Sequence, residues 1–461
     1  MTAPLTTLLP TTARALHHRI AVAQAEGRAP SLTGAVGRDG ELVWTGVRPF
    51  AQEGDEAGVH AQYRVGSITK TFTAVLVMRL RDEGLIDLQD PLEKHLPGTG
   101  IGEVTIAQLL AHSAGLGAET PSPWWERSSA SLRPGLPEVL GEHPRKHAVG
   151  RRFHYSNPGY TVLGSLVEEV RGDSWAEVLQ REVLEPLAMS RTSLEPQAPY
   201  AQGWAVHPWA DVLLPEPPEN LGLMAPAGQL WSTVADLCRF GAFLAEGDDR
   251  VLGAPSVREM RTPSVPAESE EWDATYGLGL QIIRRDGRTL VGHGGSLPGF
   301  VAGLWVGVDD GVTAAVLANA TSGPLPSLIA TDLIRIVADA EPRMPLPWRP
   351  LQEVDQELLE LTGPWYWGTY AFGLQLLPDR ALALQPLTGP GRRARFAAVE
   401  DGTWIGENGY YAGETLRVVR HEDGSIDHLD LASFVFTRTP YEPEAEIPGG
   451  VDKDGWRGLL G

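Results

Sequence analysis

The sequence predicts a mixed α/β (α+β) fold in which helices flank an antiparallel sheet, an α-rich insertion interrupts the sheet, and a small C-terminal β-barrel follows. Three observations lead to this prediction. Strand patterns lie on both sides of a long helical region, a proline-rich stretch follows them, and short strands with turn dipeptides occupy the rest. A chain of 461 residues has room for two or three domains.

The chain opens with a predicted helix and a hairpin. Apolar residues repeat at helical spacing over residues 11–26, and residues 31–47 alternate like two strands. Asp39 and Gly40 between the two strands favour a tight turn. The first sheet strands therefore come from the N-terminal region.

A second helix is predicted to begin at Ser67 and to end near Gly84. Its apolar residues recur every three or four positions, which is typical of a helix that faces a core. Further helical patches follow over residues 105–112, 159–170 and 233–244. These patches constitute the predicted α-rich insertion.

Strand patterns return in the second half of the chain, at residues 289–291, 301–308 and 312–317. The dipeptide Asp310-Gly311 indicates a turn between the last two. We expect these strands to join the N-terminal hairpin in one antiparallel sheet, with a helix over residues 326–338 after them.

A domain boundary is predicted near residue 345, because four prolines lie within residues 341–350. The expected domains are 1–345, which holds the sheet and its helices, and 346–461, which holds the barrel. Short strands with turn dipeptides such as Asp401-Gly402 support the barrel.

Composition excludes several function classes. The net charge of −21 disfavours nucleic acid and anionic membrane surfaces as partners. The single cysteine, Cys238, cannot form an internal disulfide, and the N-terminal residues do not resemble an export signal, so we expect a cytoplasmic protein. No His-Glu-x-x-His or Cys-x-x-Cys motif is present in the sequence, so neither a metal nor a cofactor is expected.

Three short motifs carry residues that can do acyl-transfer chemistry. Ser67 and Lys70 lie one helical turn apart, which places a hydroxyl beside an amine. Tyr155 and Asn157 add a phenol and an amide, and His293 precedes two glycines beside the strand predicted over residues 299–308. Taken singly, each has an ordinary structural explanation: a capping serine with a solvated lysine, a core tyrosine, and a strand-end histidine.

The motifs occur in one order, and the chain resembles the serine β-lactamase and penicillin-binding-protein family of the class C type. The resemblance rests on Ser-x-x-Lys, Tyr-x-Asn and His-x-Gly, together with the flanking segments 63–66, 109–116 and 157–160. It spans roughly residues 10–340 and implies a β-lactamase/transpeptidase-like fold. The predicted C-terminal barrel resembles a lipocalin. A catalytic domain of this type followed by such a barrel resembles penicillin-binding-protein-type thioesterases and D-aminopeptidases.

The resemblance implies a role for each motif residue. Ser67 would be the nucleophile, Lys70 and Tyr155 would share the proton transfers, and Asn157 would hold Lys70 and contact the substrate amide. Whether Lys70 or Tyr155 is the base remains open at this point. The backbone amides of Ser67 and Ser296, the latter beside Gly295, would bind the oxyanion. His293 occupies a position where many relatives carry lysine, which favours neutral or peptide substrates.

The predicted function is a serine acyl-enzyme hydrolase or acyltransferase acting on peptide-like esters, thioesters or amides. The leading expectation is head-to-tail macrocyclisation of a nonribosomal peptide, with the peptide or acyl substrate presented by a carrier protein. A D-stereospecific aminopeptidase or a carboxylesterase is the alternative. A non-catalytic ligand-binding protein on the same scaffold is an alternative of another class.

Two further residues have a predicted place. Arg438 shares a strand face with Phe434 and Phe436, so it either pairs with a surface carboxylate or binds the carboxylate or carbonyl groups of a peptide substrate. His112 is expected to be structural, because the family pattern puts its helix well away from the three motifs.

Overall fold

The computed structural model describes residues 8–48, 60–128, 134–266, 273–345, 347–399 and 401–442. The chain divides into two compact units, Met1–Met344 and Pro345–Gly461. Within the described ranges, every helix is too short or too polar to cross a lipid bilayer.

An eight-stranded antiparallel sheet organises the first unit. Its strands are β1 Leu32–Arg38, β2 Glu41–Arg48, β7 Val265–Pro266, β8 Ala274–Tyr276, β9 Gln281–Arg285, β10 Arg288–Leu297, β11 Phe300–Gly307 and β12 Val312–Ala318. They lie in the order β2-β1-β12-β11-β10-β9-β8-β7. The N-terminal hairpin joins the late strands as predicted, because β1 pairs with β12 along its whole length. Two small two-stranded sheets accompany it, formed by β3 Tyr63–Arg64 with β6 Trp231–Ser232, and by β4 Gly203–Val206 with β5 Leu213–Glu216.

Helices cover both faces of this sheet. One apolar cluster includes Leu16 and Leu333 from two helices and Val316 from the sheet, and the larger cluster includes Phe72 and Phe240. The helices of the unit are α1 Pro10–Glu26, α2 Thr69–Asp82, α3 Ile106–Leu110, α4 Leu136–Leu140, α5 Asn157–Arg171, α6 Trp175–Leu179, α7 Ala225–Gly228, α8 Val234–Glu246, α9 Ala254–Met260 and α10 Pro326–Ala340. A short π-helix, Gln180–Leu184, continues α6.

Helix α2 runs through the interior of the first unit. Every residue from Thr69 to Met78 is buried, and the Phe72 ring stacks on Phe240 with 3.7 Å between ring centroids. Burial on all sides fixes the position of the helix and of the turn that precedes it. Ser67 lies in that turn, a 3₁₀ segment over Gly66–Ile68.

Strand β10 is longer than predicted and corrects the expected position of His293. We expected His293 to precede a strand beginning at residue 299, but it lies inside β10 and pairs with Leu304 of β11. Glycines weaken a strand signal, yet here they permit close backbone contacts. A Cβ at Gly292 would lie 2.0 Å from the Leu304 carbonyl oxygen.

The second unit is a closed barrel of eight antiparallel strands preceded by α11, Gln356–Leu361. Its interior is filled by apolar side chains, including Trp365, Phe396 and Leu431. The strands are β13 Gly363–Trp367, β14 Tyr370–Leu376, β15 Leu382–Pro386, β16 Ala394–Ala398, β17 Trp404–Gly406, β18 Thr415–Arg420, β19 Ile426–Leu431 and β20 Phe434–Thr437.

Candidate active site

Two glycines let the Ser67 turn lie directly against β10. A Cβ at Gly66 would be 2.6 Å from the backbone nitrogen of Ser296, and one at Gly295 would be 1.9 Å from the Val65 carbonyl oxygen. Any side chain would push the two segments apart. The same Gly295 Cβ would lie 3.2 Å from the Ser67 nitrogen, so the backbone nitrogens of Ser67 and Ser296 border the same part of the cleft.

Lys70 is fully buried one turn beyond Ser67. Its Nζ lies 3.1 Å from Ser67 Oγ and donates to the Ala227 carbonyl oxygen at 2.7 Å. Burial lowers the pKa of Lys70 to about 7, although the carboxylates of Glu119 and Glu126 act in the opposite direction. Near neutral pH a large share of this lysine is therefore an uncharged amine beside the serine hydroxyl.

Tyr155 lies beside Lys70, with its ring centroid 5.0 Å from Nζ. Its buried hydroxyl oxygen has no hydrogen-bond partner among the described residues. Burial raises the pKa of Tyr155 above its ordinary value, and the neighbouring Ser67 hydroxyl offsets part of that shift. The phenol therefore keeps its proton at neutral pH and can act as a hydrogen-bond donor in the cleft.

Asn157 lies at the start of α5, but its amide does not hold Lys70 as we had expected. It donates to Glu119 Oε1 at 2.9 Å instead, and the Ala227 carbonyl takes the role of holding Lys70. Glu119 also accepts a hydrogen bond from the Trp125 indole at 2.7 Å. Glu119 was not among the predicted site residues, because one acid among 59 carries no distinguishing signal in the sequence.

His293 lies beside Tyr155, with 6.1 Å between the two ring centroids. It is 1% exposed, and its Nε2 is 3.1 Å from the Tyr276 hydroxyl. Burial lowers the pKa of His293 to about 3, so the ring is neutral at physiological pH. It adds no positive charge to the cleft, in keeping with the expectation of neutral or peptide substrates.

His112 lies next to the motifs, which corrects the expectation that its helix would be remote. Its ring centroid is 4.3 Å from that of Tyr155 and 4.8 Å from that of Tyr276. The prediction failed because α3 ends at Leu110 and a left-handed residue follows at His112, with φ of +56°, so the chain turns towards the site.

A cavity of about 410 Å³ opens at Ser67. Tyr155, Gln281 and the glycine segment of β10 form its polar side, and Val301, Pro324 and Leu325 form an apolar side. Leu325 is 64% exposed, so the apolar side is open to a ligand. The cleft can therefore accept a substrate whose apolar side group contacts the apolar side of the cavity and whose polar main chain contacts the polar side.

Acidic side chains accumulate near the amine of Lys70. Glu126 is half-buried, and burial together with Glu119 raises the pKa of its carboxyl. Trp124 donates to Glu126 at 2.9 Å. Two carboxylates and two indoles in one loop create a negative, partly apolar surface, which suits a cationic or amine-bearing group.

Arg438 lies in the second unit, where its guanidinium carbon is 4.0 Å from the centroid of the Trp365 ring. The guanidinium donates to the Thr362 carbonyl at 2.9 Å, to that of Pro364 at 3.2 Å and to that of Glu360. These contacts occupy much of its hydrogen-bonding capacity, so its predicted binding of substrate stays a prediction. Across the described ranges, no three His, Cys, Asp or Glu side chains are grouped as metal ligands.

Comparison with known families gives a match over most of the chain. The profile of the family described as Beta-lactamase matches residues 16–339. A second profile, described as a domain of unknown function (DUF7586), matches residues 354–438.

Two curated relatives each match more than half of the chain. "Penicillin-binding protein 4" of Amycolatopsis lactamdurans is 29% identical over 317 residues, which is 63% of this chain and 80% of that protein. "Beta-lactamase-like protein 2" of Dictyostelium discoideum is 26% identical over 263 residues, 53% of this chain. The match spans only 47% of the length of the Dictyostelium protein.

Solved structures show the same architecture. A D-stereospecific amidohydrolase from Streptomyces sp. is 27% identical, with a TM-score of 0.59 over 72% of this chain and 99% of that one. SurE is 23% identical, with a TM-score of 0.57 over 93% of this chain and 99% of that one. The second likeness concerns the fold alone and extends over both units.

Proposed function

Because the chain belongs to the beta-lactamase family of serine hydrolases, we propose that Ser67 forms an acyl-enzyme with a peptide-like ester, thioester or amide and passes the acyl group to water or an amine. The observation that carries this proposal is Lys70, a buried amine of pKa about 7 at 3.1 Å from Ser67 Oγ. An amine with this pKa beside a hydroxyl is an effective general base near neutral pH.

In the proposed reaction, neutral Lys70 takes the Ser67 proton while Oγ attacks the substrate carbonyl carbon. The carbonyl oxygen becomes an oxyanion, for which the Ser67 and Ser296 amides are the available donors. Collapse of this intermediate breaks the bond to the leaving group, which takes up a proton from the Lys70 and Tyr155 pair. We assign the base to Lys70 because the raised pKa of Tyr155 disfavours a phenolate.

In the second half of the reaction, water or an amine attacks the ester carbonyl and loses a proton to the same pair, and Ser67 recovers its own. We propose that the substrate carries a free amine and no carboxylate near His293. Neutral His293 supplies no positive charge that could pair with an anion, whereas the negative charges of Glu119 and Glu126 stabilise a nearby ammonium group.

Two specific reactions fit this chemistry. Head-to-tail cyclisation of a peptide thioester, delivered by a carrier protein, uses the amino terminus of the substrate as the acceptor, and the surface formed by Glu119 and Glu126 suits that amine. Hydrolysis of D-amino acid amides or peptides uses water. The 27% identity to a D-stereospecific amidohydrolase favours this second candidate.

One experiment tests the proposal and separates the two reactions. The enzyme is given a linear peptidyl thioester with a free amino terminus, its amino-acetylated form, and a D-amino acid amide, and products are identified by mass spectrometry. A cyclic product from the free-amine thioester alone supports cyclisation, and release of ammonia from the amide supports hydrolysis. Turnover by Ser67→Ala equal to that of the wild type would refute the acyl-enzyme.

A further inference from the structure

His112 is a buried group beside Tyr155 that the proposed mechanism does not use. It is 1% exposed, and its ring lies tilted by 34° against the Tyr155 ring, with 4.3 Å between centroids. The Tyr160 ring contacts it from another side at 5.0 Å. The ring of His112 therefore forms part of the surface that sets the orientation of Tyr155.

His112 also holds the backbone on both sides of Tyr155. The His112 carbonyl oxygen accepts a hydrogen bond from the His154 backbone nitrogen at 2.8 Å. Its side-chain Nδ1 accepts another from the Ser156 backbone nitrogen at 3.0 Å. One residue thus fixes the peptide group between residues 153 and 154, on one side of Tyr155, and the peptide group that joins Tyr155 to Ser156, on the other.

These contacts define the protonation state of the ring. Nδ1 must keep its lone pair free, because a backbone N–H donates to it. Burial holds the pKa of His112 well below its ordinary value, so the ring is neutral and its proton is on Nε2. The side chain therefore supplies a fixed acceptor on the side of Ser156.

We infer that His112 is a positioning residue for the proton-transfer step, which holds Tyr155 in place through the acceptor at Nδ1 and through its ring. This inference rests on the proposed function, since it concerns the phenol beside Ser67 and Lys70. It gives a reason for the left-handed backbone at His112, with φ of +56°. That conformation is unfavourable for most residues.

The test uses two amide substitutions of similar polarity. His112→Asn places an amide oxygen near the original Nδ1 and tolerates a left-handed backbone, whereas His112→Gln places its amide near the position of Nε2. We expect His112→Gln to lower kcat about 30-fold or more with KM changed less than about threefold, and His112→Asn to stay within about fivefold of the wild-type kcat. Melting temperatures report whether each variant folds.

Tyr155→Phe shows whether His112 acts through the phenol. In that background, His112→Gln should cost less than about threefold further in kcat, because the group that it positions has been removed. His17→Asn is the control, since His17 also accepts an N–H, from Trp44, and contacts its ring, but lies in α1, where it faces the N-terminal hairpin. It should leave kcat unchanged.

Three results would overturn the inference: equal losses in the Asn and Gln variants, a full effect of His112→Gln on top of Tyr155→Phe, or an unchanged kcat in both folded variants. If both variants unfold, a crystal structure of His112→Ala shows whether the Tyr155 ring has changed its orientation. A Tyr155 phenol in the wild-type orientation would refute the inference. Failure of the proposed function itself would look different. Ser67→Ala would then turn over substrate like the wild type.

Discussion

The buried amine of Lys70 makes the pH dependence of turnover predictable. With a pKa of about 7, the neutral fraction of Lys70 rises from about 0.09 at pH 6 to about 0.91 at pH 8. If neutral Lys70 is the base, kcat/KM increases about tenfold over this interval and then levels off. A lysine at its ordinary pKa of 10.5 would instead give an increase of about a hundredfold, with no plateau by pH 9.

The assay measures initial rates on a p-nitrophenyl ester without ionisable groups, between pH 5.5 and 9. Glu119→Gln is the second perturbation. The negative charge of Glu119 raises the pKa of Lys70, so its removal lowers that pKa and moves the midpoint of the profile to lower pH. A glutamine oxygen can still accept from Asn157, which preserves that contact. Glu138→Gln, an exposed acid whose oxygen caps Gly135, is the matched control.

Two results would refute the assignment of Lys70. A flat profile between pH 6 and 8 would mean that no group with a pKa near 7 controls the reaction. A midpoint that moves to higher pH in Glu119→Gln would mean that the controlling group is not a cation stabilised by this carboxylate.

Three further predictions concern other parts of the molecule. Lys70→Met abolishes turnover yet raises the free energy of unfolding, measured in urea at pH 7, by about 2 kcal/mol. The reason is that a lysine with a pKa of about 7 in the folded protein and 10.5 in the unfolded chain destabilises the fold by about 4 kcal/mol at pH 7. The stability gained by the variant shrinks towards pH 10, because this destabilisation disappears as the lysine becomes neutral in the unfolded chain too. Gly295→Ala lowers ester turnover at least about a hundredfold, since its Cβ would lie 1.9 Å from a carbonyl oxygen, while Gly294→Ala meets only a movable serine hydroxyl at 2.8 Å and is milder. Arg438→Ala lowers the melting temperature through loss of its carbonyl and Trp365 contacts, and a changed ratio of cyclic to linear product at unchanged stability would contradict this structural role.

The sequence allowed prediction of those features that depend on local patterns. Helix α1, the first hairpin and the pairing of Ser67 with Lys70 all follow from spacing along one segment. The family resemblance that the three motifs carry also predicted which distant segments meet. These parts of the fold and of the site can therefore be predicted from the sequence alone.

Features that depend on tertiary contacts could not be predicted in the same way. The β10 segment around His293 does not look like a strand, because its glycines are selected by the close approach of Val65 and Leu304. Glu119 lies 38 positions before Asn157, and only the fold brings the two together. The position of His112 was wrongly predicted for the same reason, since its left-handed backbone and its contact with the Tyr155 ring appear only in the folded chain.

The pairing of β1 with β12 has a consequence for folding of the nascent chain on the ribosome. Leu32 pairs with Ala318, so β1 can pair with β12 only after about 290 further residues have been synthesised. At ordinary rates of synthesis this takes roughly 15 to 60 s. During that interval the apolar edge of the hairpin has no partner strand from this sheet. The Ser67 turn must wait as well, because β10 completes its surroundings. Nascent chains of this protein are therefore expected to need protection from aggregation, and to acquire a reactive serine only after the sheet has closed.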